Sequence, residues 1–139
     1  HFNPNVKKIV NIKLGSIKNI FLIDPIGYKK FVRFMATAKV ILTDSGGIQE
    51  EVFSLNIPTL VMRNNTERFE GLNNDETNTL VKLVGTKTSD IVSNVKRIIE
   101  DGVANPNKNV NPYGDGKASK RILKEIKNKL SKDLWKIQS

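Results

Sequence analysis

The sequence contains no cysteine and only one histidine, His1. The first absence excludes a disulfide framework and a thiolate metal site, and the second excludes a cluster of imidazole ligands. No metal and no cofactor are expected. No apolar run approaches the roughly 18–20 residues that a membrane-spanning helix needs, and no signal-peptide pattern is visible. The expectation is a cytoplasmic protein with no membrane partner. Negative charge is the scarcer sign, with 14 acidic residues against 23 basic ones and a formal net charge of +9. Much of that excess lies in residues 111–139. There Lys117, Lys120, Arg121, Lys124, Lys127, Lys129, Lys132 and Lys136 face only Asp115, Glu125 and Asp133. Such a tail can attract an anionic partner, or it can be a solvated helix face. Five of the 23 basic residues are arginine and the rest lysine, and the chain has one tryptophan. Nucleic-acid interfaces favour arginine forks and stacked aromatics, so the solvated face is the stronger reading and no nucleic-acid partner is expected.

What remains is a balanced globular composition: 139 residues, 38% hydrophobic and 27% charged, enough for a domain with its own core. The chain is organised around Val40-Ile-Leu-Thr-Asp-Ser-Gly-Gly-Ile-Gln-Glu-Glu51. A short apolar run ends at a turn, two glycines follow, and Ile48, Val52 and Leu55 then recur at helical spacing. That pattern reads as strand, tight turn and helix N-terminus. Such a junction offers unpaired N–H groups and the positive end of a helix dipole, which suit a phosphate. Gly46 and Gly47 would let an anion approach the backbone closely. Ser45 could cap the helix or donate its hydroxyl to a phosphate oxygen. Glu50 and Glu51 are expected in the first helical turn, with one of them reaching a sugar hydroxyl. On spacing alone, an ordinary Gly-rich βα turn with solvated glutamates is an equal alternative, because this is neither the dinucleotide nor the P-loop pattern.

Along the chain, Asn3 and Pro4 open a helix that Gly15 ends, with Val6, Ile9, Val10, Ile12 and Leu14 as its apolar side. A short strand is expected from Ile17 or Ile20 to Ile23, stopped by Asp24-Pro25. Gly27 to Ala38 reads as a helix with Tyr28, Phe31, Val32, Met35 and Ala38 on one side. The central strand and helix run to Asn56, a candidate left-handed C-cap. Further strands are expected at Thr59–Met62 and Thr79–Val84, with a polar loop between them. A helix at Ser89–Glu100 should bury Ile91, Val92, Val95, Ile98 and Ile99. After a loop rich in Asn, Pro and Gly, a last helix starts at Ala118 and carries Ile122, Leu123, Ile126, Leu130 and Leu134. Alternating helices and apolar strands predict an α/β fold, a Rossmann-like parallel sheet covered by helices on both faces.

The wording of the central stretch, Asp44-Ser-Gly-Gly-Ile-Gln-Glu-Glu51, resembles the nucleotide-binding signature of the non-hydrolysing UDP-N-acetylglucosamine 2-epimerases. Other blocks follow in the same order. They are His1-Phe-Asn-Pro-Asn-Val6, Ile17–Pro25 with Phe31 and Met35, Ile57–Arg63 with Thr66-Glu-Arg68, Leu83-Val-Gly85, and Asn111-Pro-Tyr-Gly-Asp-Gly116. The resemblance covers residues 1 to about 126 and only the C-terminal half of a family member. It implies the UDP-binding domain of a two-domain, glycosyltransferase-B-type architecture. Residues 1–139 would then be one nucleotide-binding domain, a fragment that lacks its N-terminal partner domain. By position, Ser45, Gly46 and Gly47 would cradle the diphosphate and Glu51 would bind the ribose hydroxyls. Arg68 would contact the phosphates, Phe31 would lie near the uracil, and His1 belongs to a block near the nucleotide. Without the resemblance, Phe31 reads as a core aromatic and Arg68 as a surface ion pair.

The implied reaction is epimerisation at C2 of UDP-N-acetylglucosamine, serving amino-sugar supply for surface polysaccharide. Its acid and base carboxylates belong to the N-terminal half, so this chain carries no catalytic residue of its own. Alternatives are the donor domain of a related glycosyltransferase and a non-catalytic nucleotide-binding remnant of a split gene. A homodimer stays open. The sequence departs from the family pattern at Phe69, where the family usually has proline after Thr-Glu-Arg. Asn64-Asn65 and the long stretch 71–79 depart from it as well. The loss of proline frees the backbone beside Arg68.

Overall fold

The computed structural model describes residues 3–72, 80–102 and 111–137, with side chains as far as residue 130. The chain divides into two compact units, His1–Ala38 and Lys39–Ser139. His1 and Thr79 lie outside the described residues.

In the first unit, helix α1 spans Pro4–Leu14. Asn3 caps it by accepting a hydrogen bond from the Asn5 N–H at 2.9 Å, and proline occupies the first turn, where no N–H is needed. Gly15 closes the helix with right-handed dihedrals, so its value here is space: a Cβ would lie 2.6 Å from the Asn11 carbonyl oxygen. The expected apolar side of α1 is not buried, with Ile9 55% and Ile12 72% exposed. The expected strand at 17–23 is absent. Its backbone makes turn bonds from Ile17 N–H to Leu14 and from Ile20 N–H to Ile17. Among the described residues no ladder pairs it, and apolar composition without a pairing edge does not make a strand. Lys7 reaches across to Asp24 at 2.7 Å. Helix α2, Tyr28–Thr37, follows with Gly27 as N-cap, and Met35 is its buried residue.

In the second unit, strands β1 (Ile41–Thr43), β2 (Thr59–Val61) and β3 (Val81–Leu83) form a parallel sheet in the order β1-β2-β3. Ile41 pairs with Thr59, and Thr59 with Val81. The expectation of four strands is thus corrected to three among the described residues, because segment 17–23 does not join. Helix α3 (Gly46–Leu55) connects β1 to β2, and α4 (Thr88–Asp101) follows β3; both pack on β2. Val52, Val61 and Val81 form the core cluster, with Ile41, Ile48, Phe53 and Leu83 against it. Leu60, one residue from Val61 and so on the opposite sheet face, is also buried, so β2 is covered on both sides. Asn56 ends α3 in the left-handed conformation, φ 54° and ψ 44°.

Two apolar helix faces are less covered than the sequence led us to expect. On α4, Ile91, Val95 and Ile98 are half-buried, while Val92 and Ile99 are exposed. On α5 (Ala118–Ile137), Ile122, Leu123, Ile126 and Leu130 are all at least 50% exposed. Helical periodicity fixed which side chains share a face, but burial also requires an opposing surface. Among the described residues no helix is long and apolar enough to cross a membrane.

Candidate functional site

Strand β1 delivers the chain to Asp44 at the carboxyl edge of the sheet, where open α/β folds bind their ligands. Thr43 Oγ1 accepts the Ser45 N–H at 3.0 Å and turns the backbone. Ser45 is the extended N-cap, and α3 starts at Gly46. The N–H groups of Gly46, Gly47 and Ile48 therefore have no partner within the helix. The Ser45 side chain does not cap them, which leaves its hydroxyl to serve a ligand. A Cβ on Gly47 would meet only Ser45 Oγ, at 4.0 Å, so the space above this glycine is open. At Gly46 a Cβ would lie 3.2 Å from Glu67 Oε1 and 3.8 Å from Arg68 Nη2. The helix start is thus open on one side and flanked by a guanidinium and a carboxylate on the other.

Because α3 begins at the first glycine, Glu50 and Glu51 fall in its second turn; the first turn holds no acid. This corrects the expected placement and separates the two roles. Glu50 accepts a hydrogen bond from Arg68 Nε and raises the Arg68 pKa further above its ordinary value. Glu51 stands one turn after Gly47 on the same face. Its Oε2 is buried without a hydrogen-bond partner. A buried, unpaired carboxylate oxygen is costly, and a ligand hydroxyl would relieve it.

The loop after β2 supplies the positive charge. Arg63 Nη1 pairs with Glu67 Oε2 at 3.2 Å, and Arg68 Nη1 lies 3.8 Å from Glu67 Oε1. The Glu67 carboxyl is held below its usual range by its own backbone N–H and then by the Arg63 charge, so it stays ionised at neutral pH. Arg68 is thus an ion-pair partner, as its residue type alone suggests, and its Nη2 also faces Gly46.

Sequence reasoning missed the pair that joins this loop to α3. Thr66 Oγ1 donates to Gln49 Oε1 at 2.9 Å, and the two residues are 4% and 1% exposed. The available signal was a glutamine set between Ile48 and Val52 on an otherwise apolar face. The Arg68 N–H donates to Thr66 Oγ1 at 3.1 Å, so the backbone beside Arg68 is pinned even though Phe69 stands in place of proline. A single 3-10 turn, Phe69–Gly71, follows.

Tyr113 was also missed as a packing element. Its ring meets Phe53 edge-on at 5.7 Å, and its hydroxyl is buried without a partner. Burial, and then Glu70, pushes the phenol above its ordinary pKa. Asn111 holds that loop by accepting the Tyr113 N–H at 3.0 Å and donating to Ser54 Oγ at 3.2 Å. Gly114 and Gly116 take positive φ, the conformational role expected of turn glycines. Phe31 belongs to the first unit, on α2, and is 37% exposed, so it is not a core aromatic.

The family model described as UDP-N-acetylglucosamine 2-epimerase matches residues 1–127. The UDP-N-acetylglucosamine 2-epimerase of Escherichia coli K12 is 50% identical over 130 residues, which cover 92% of this chain and 34% of that protein. The Yersinia pestis protein of the same name is 51% identical over the same share. Among solved structures, a co-structure of S. aureus MnaA with UDP is 41% identical with a TM-score of 0.80, over 94% of this chain and 35% of that one. The Neisseria meningitidis UDP-GlcNAc 2-epimerase bound to UDP-GlcNAc is 40% identical with a TM-score of 0.77, over 92% and 34%. The chain therefore spans about a third of the length of these relatives. With the family model covering residues 1–127 and the signature turn placed at the sheet's carboxyl edge, the chain belongs to the UDP-N-acetylglucosamine 2-epimerase family.

Proposed function

We propose that residues 1–139 are the UDP-binding domain of a UDP-N-acetylglucosamine 2-epimerase, acting with a further domain that carries the acid and base carboxylates. The observation that carries this reading is the open start of α3, with Gly47 unobstructed and Arg68 Nη2 turned toward Gly46. The diphosphate is held by the N–H groups of Gly46 and Gly47 and by Ser45, at the positive end of the helix dipole. Arg68 supplies a fixed, forked charge to the phosphates. Glu51 accepts hydrogen bonds from the ribose hydroxyls, and its unpartnered Oε2 supports that role.

In the proposed reaction the C2 proton is removed and the C1–O bond to UDP breaks, giving a 2-acetamidoglucal and UDP. UDP then re-adds at C1 while a proton is delivered to the other face of C2. This domain's share is electrostatic: it stabilises negative charge as it develops on the leaving diphosphate. The cytoplasm is the proposed compartment and surface-polysaccharide precursor supply the proposed role.

Calorimetric titration with UDP tests the reading. The chain should bind UDP, and Ser45→Ala and Glu51→Ala should each weaken it by about tenfold, the cost of one hydrogen bond to a charged group. Unchanged affinity in both variants would remove the site assignment. The chain alone should show no epimerase turnover, and measured turnover would contradict the division of labour.

A further inference from the structure

Three hydrogen bonds, the middle one fully buried and the outer two partly so, connect the backbone at Ser45 to the backbone at Arg68. Gln49 Nε2 donates to the Ser45 carbonyl at 3.3 Å. Thr66 Oγ1 donates to Gln49 Oε1 at 2.9 Å, and the Arg68 N–H donates to Thr66 Oγ1 at 3.1 Å. Gln49 and Thr66 are nearly inaccessible to solvent, and each bond uses a different donor. The adjacent Glu50 holds the other end of Arg68 by accepting from Nε. Gln49, through Thr66, and Glu50 thus fix Arg68 at both backbone and side chain. Nη2 is left 3.8 Å from where a Cβ on Gly46 would be. Burying a polar pair beside Val52 and Ile48 gains little stability over an apolar pair of the same shape. Its distinct consequence is a fixed span between the glycine turn and the guanidinium, over which lost backbone freedom need not be repaid on binding.

We propose that Gln49 and Thr66 are positioning residues that set the distance between the Ser45-Gly46-Gly47 amides and Arg68 to that of a nucleoside diphosphate. The proposal rests on the UDP-binding reading above. It assigns no ligand contact to either residue; both act through Arg68.

The test combines Thr66→Val and Thr66→Ala with Thr66→Ser as rescue, each made with Arg68 intact and with Arg68→Ala. With Arg68 present, losing the hydroxyl should weaken UDP binding by about tenfold, and Thr66→Ser should restore it to within about twofold. In the Arg68→Ala background the same substitutions should change affinity by less than about twofold, while the fall in melting temperature should be the same in both backgrounds. Equal losses of affinity in both backgrounds, or none in either, would overturn the proposal, because Thr66 would then support the fold alone. A second readout needs no ligand. The Arg68 Nε–H NMR resonance of the free chain should be sharp and slow to exchange, and broadened in Thr66→Ala. Its persistence in that variant overturns the positioning role even if Arg68→Ala leaves UDP affinity unchanged, the result by which the UDP-binding reading itself would fail.

Discussion

Replacing Gly47 by alanine should raise stability and weaken UDP binding. Gly47 is the second residue of α3 and has no positive φ, and its Cβ would meet nothing nearer than Ser45 Oγ at 4.0 Å. Alanine is therefore unstrained there, and the helix gains from the better helix former and from a less flexible unfolded chain. The expected gain is about 0.5–1 kcal/mol, or roughly 2–5 °C in melting temperature for a domain of this size. The same methyl group would occupy the open space above Gly47, where the proposed diphosphate site has a phosphate oxygen accepting the Gly46 and Gly47 N–H groups. A charge-assisted hydrogen bond contributes about 1.5–3 kcal/mol, so losing one should cost about ten- to a hundredfold in UDP affinity. Thermal melts and UDP calorimetry on the same two proteins measure both quantities. Unchanged UDP affinity would show that the ligand does not use the space above Gly47. A loss of stability would show that this glycine serves the fold instead.

Gly71→Ala should act through packing alone: its Cβ would fall 2.9 Å from both Phe53 Cε2 and the Tyr113 hydroxyl. Overpacking of that kind costs about 1–3 kcal/mol, to be read as a lower urea midpoint at unchanged m-value. Asp115 accepts the Lys117 N–H at 3.0 Å and both Arg121 Nη groups at 2.8 Å, and the Arg121 hydrogen bonds hold its carboxyl below the ordinary value. That contribution is complete above the unfolded carboxylate pKa of about 3.9 and is lost as pH falls through the lower folded value. The helical circular dichroism of α5 should therefore decline below about pH 4, and Asp115→Asn should weaken the same helix end at neutral pH.

Local signals carried most of the fold. Asn3-Pro4, the glycine at position 15 and the left-handed Asn56 each set a helix boundary through chemistry contained in a few residues. Thr59–Val61, an apolar run bounded by turns, became the fully buried central strand. Residues 17–23 show where local reading ends, since five apolar side chains there specify no ladder partner. The exposed Ile122, Leu123 and Ile126 make the same point for a helix: period gives a face, and only an opposing surface gives burial. At the site, Ser45, Gly46 and Gly47 were legible because strand, turn and helix start adjoin in sequence. Gln49 and Thr66 are 17 positions apart and each unremarkable alone. Their pairing follows from the βαβ crossover that returns the chain beside α3. The Glu50–Arg68 pair was hidden for the same reason, and Glu50 and Glu51 could be told apart only once the helix was known to start at Gly46.

The central claim is that a nucleoside diphosphate rests on the backbone at the start of α3. An amide-resolved NMR titration of the chain with UDP addresses it most directly. The Gly46 and Gly47 resonances should move downfield and saturate together with the Arg68 Nε–H signal. Saturable binding that leaves both glycine amides unmoved would contradict the claim.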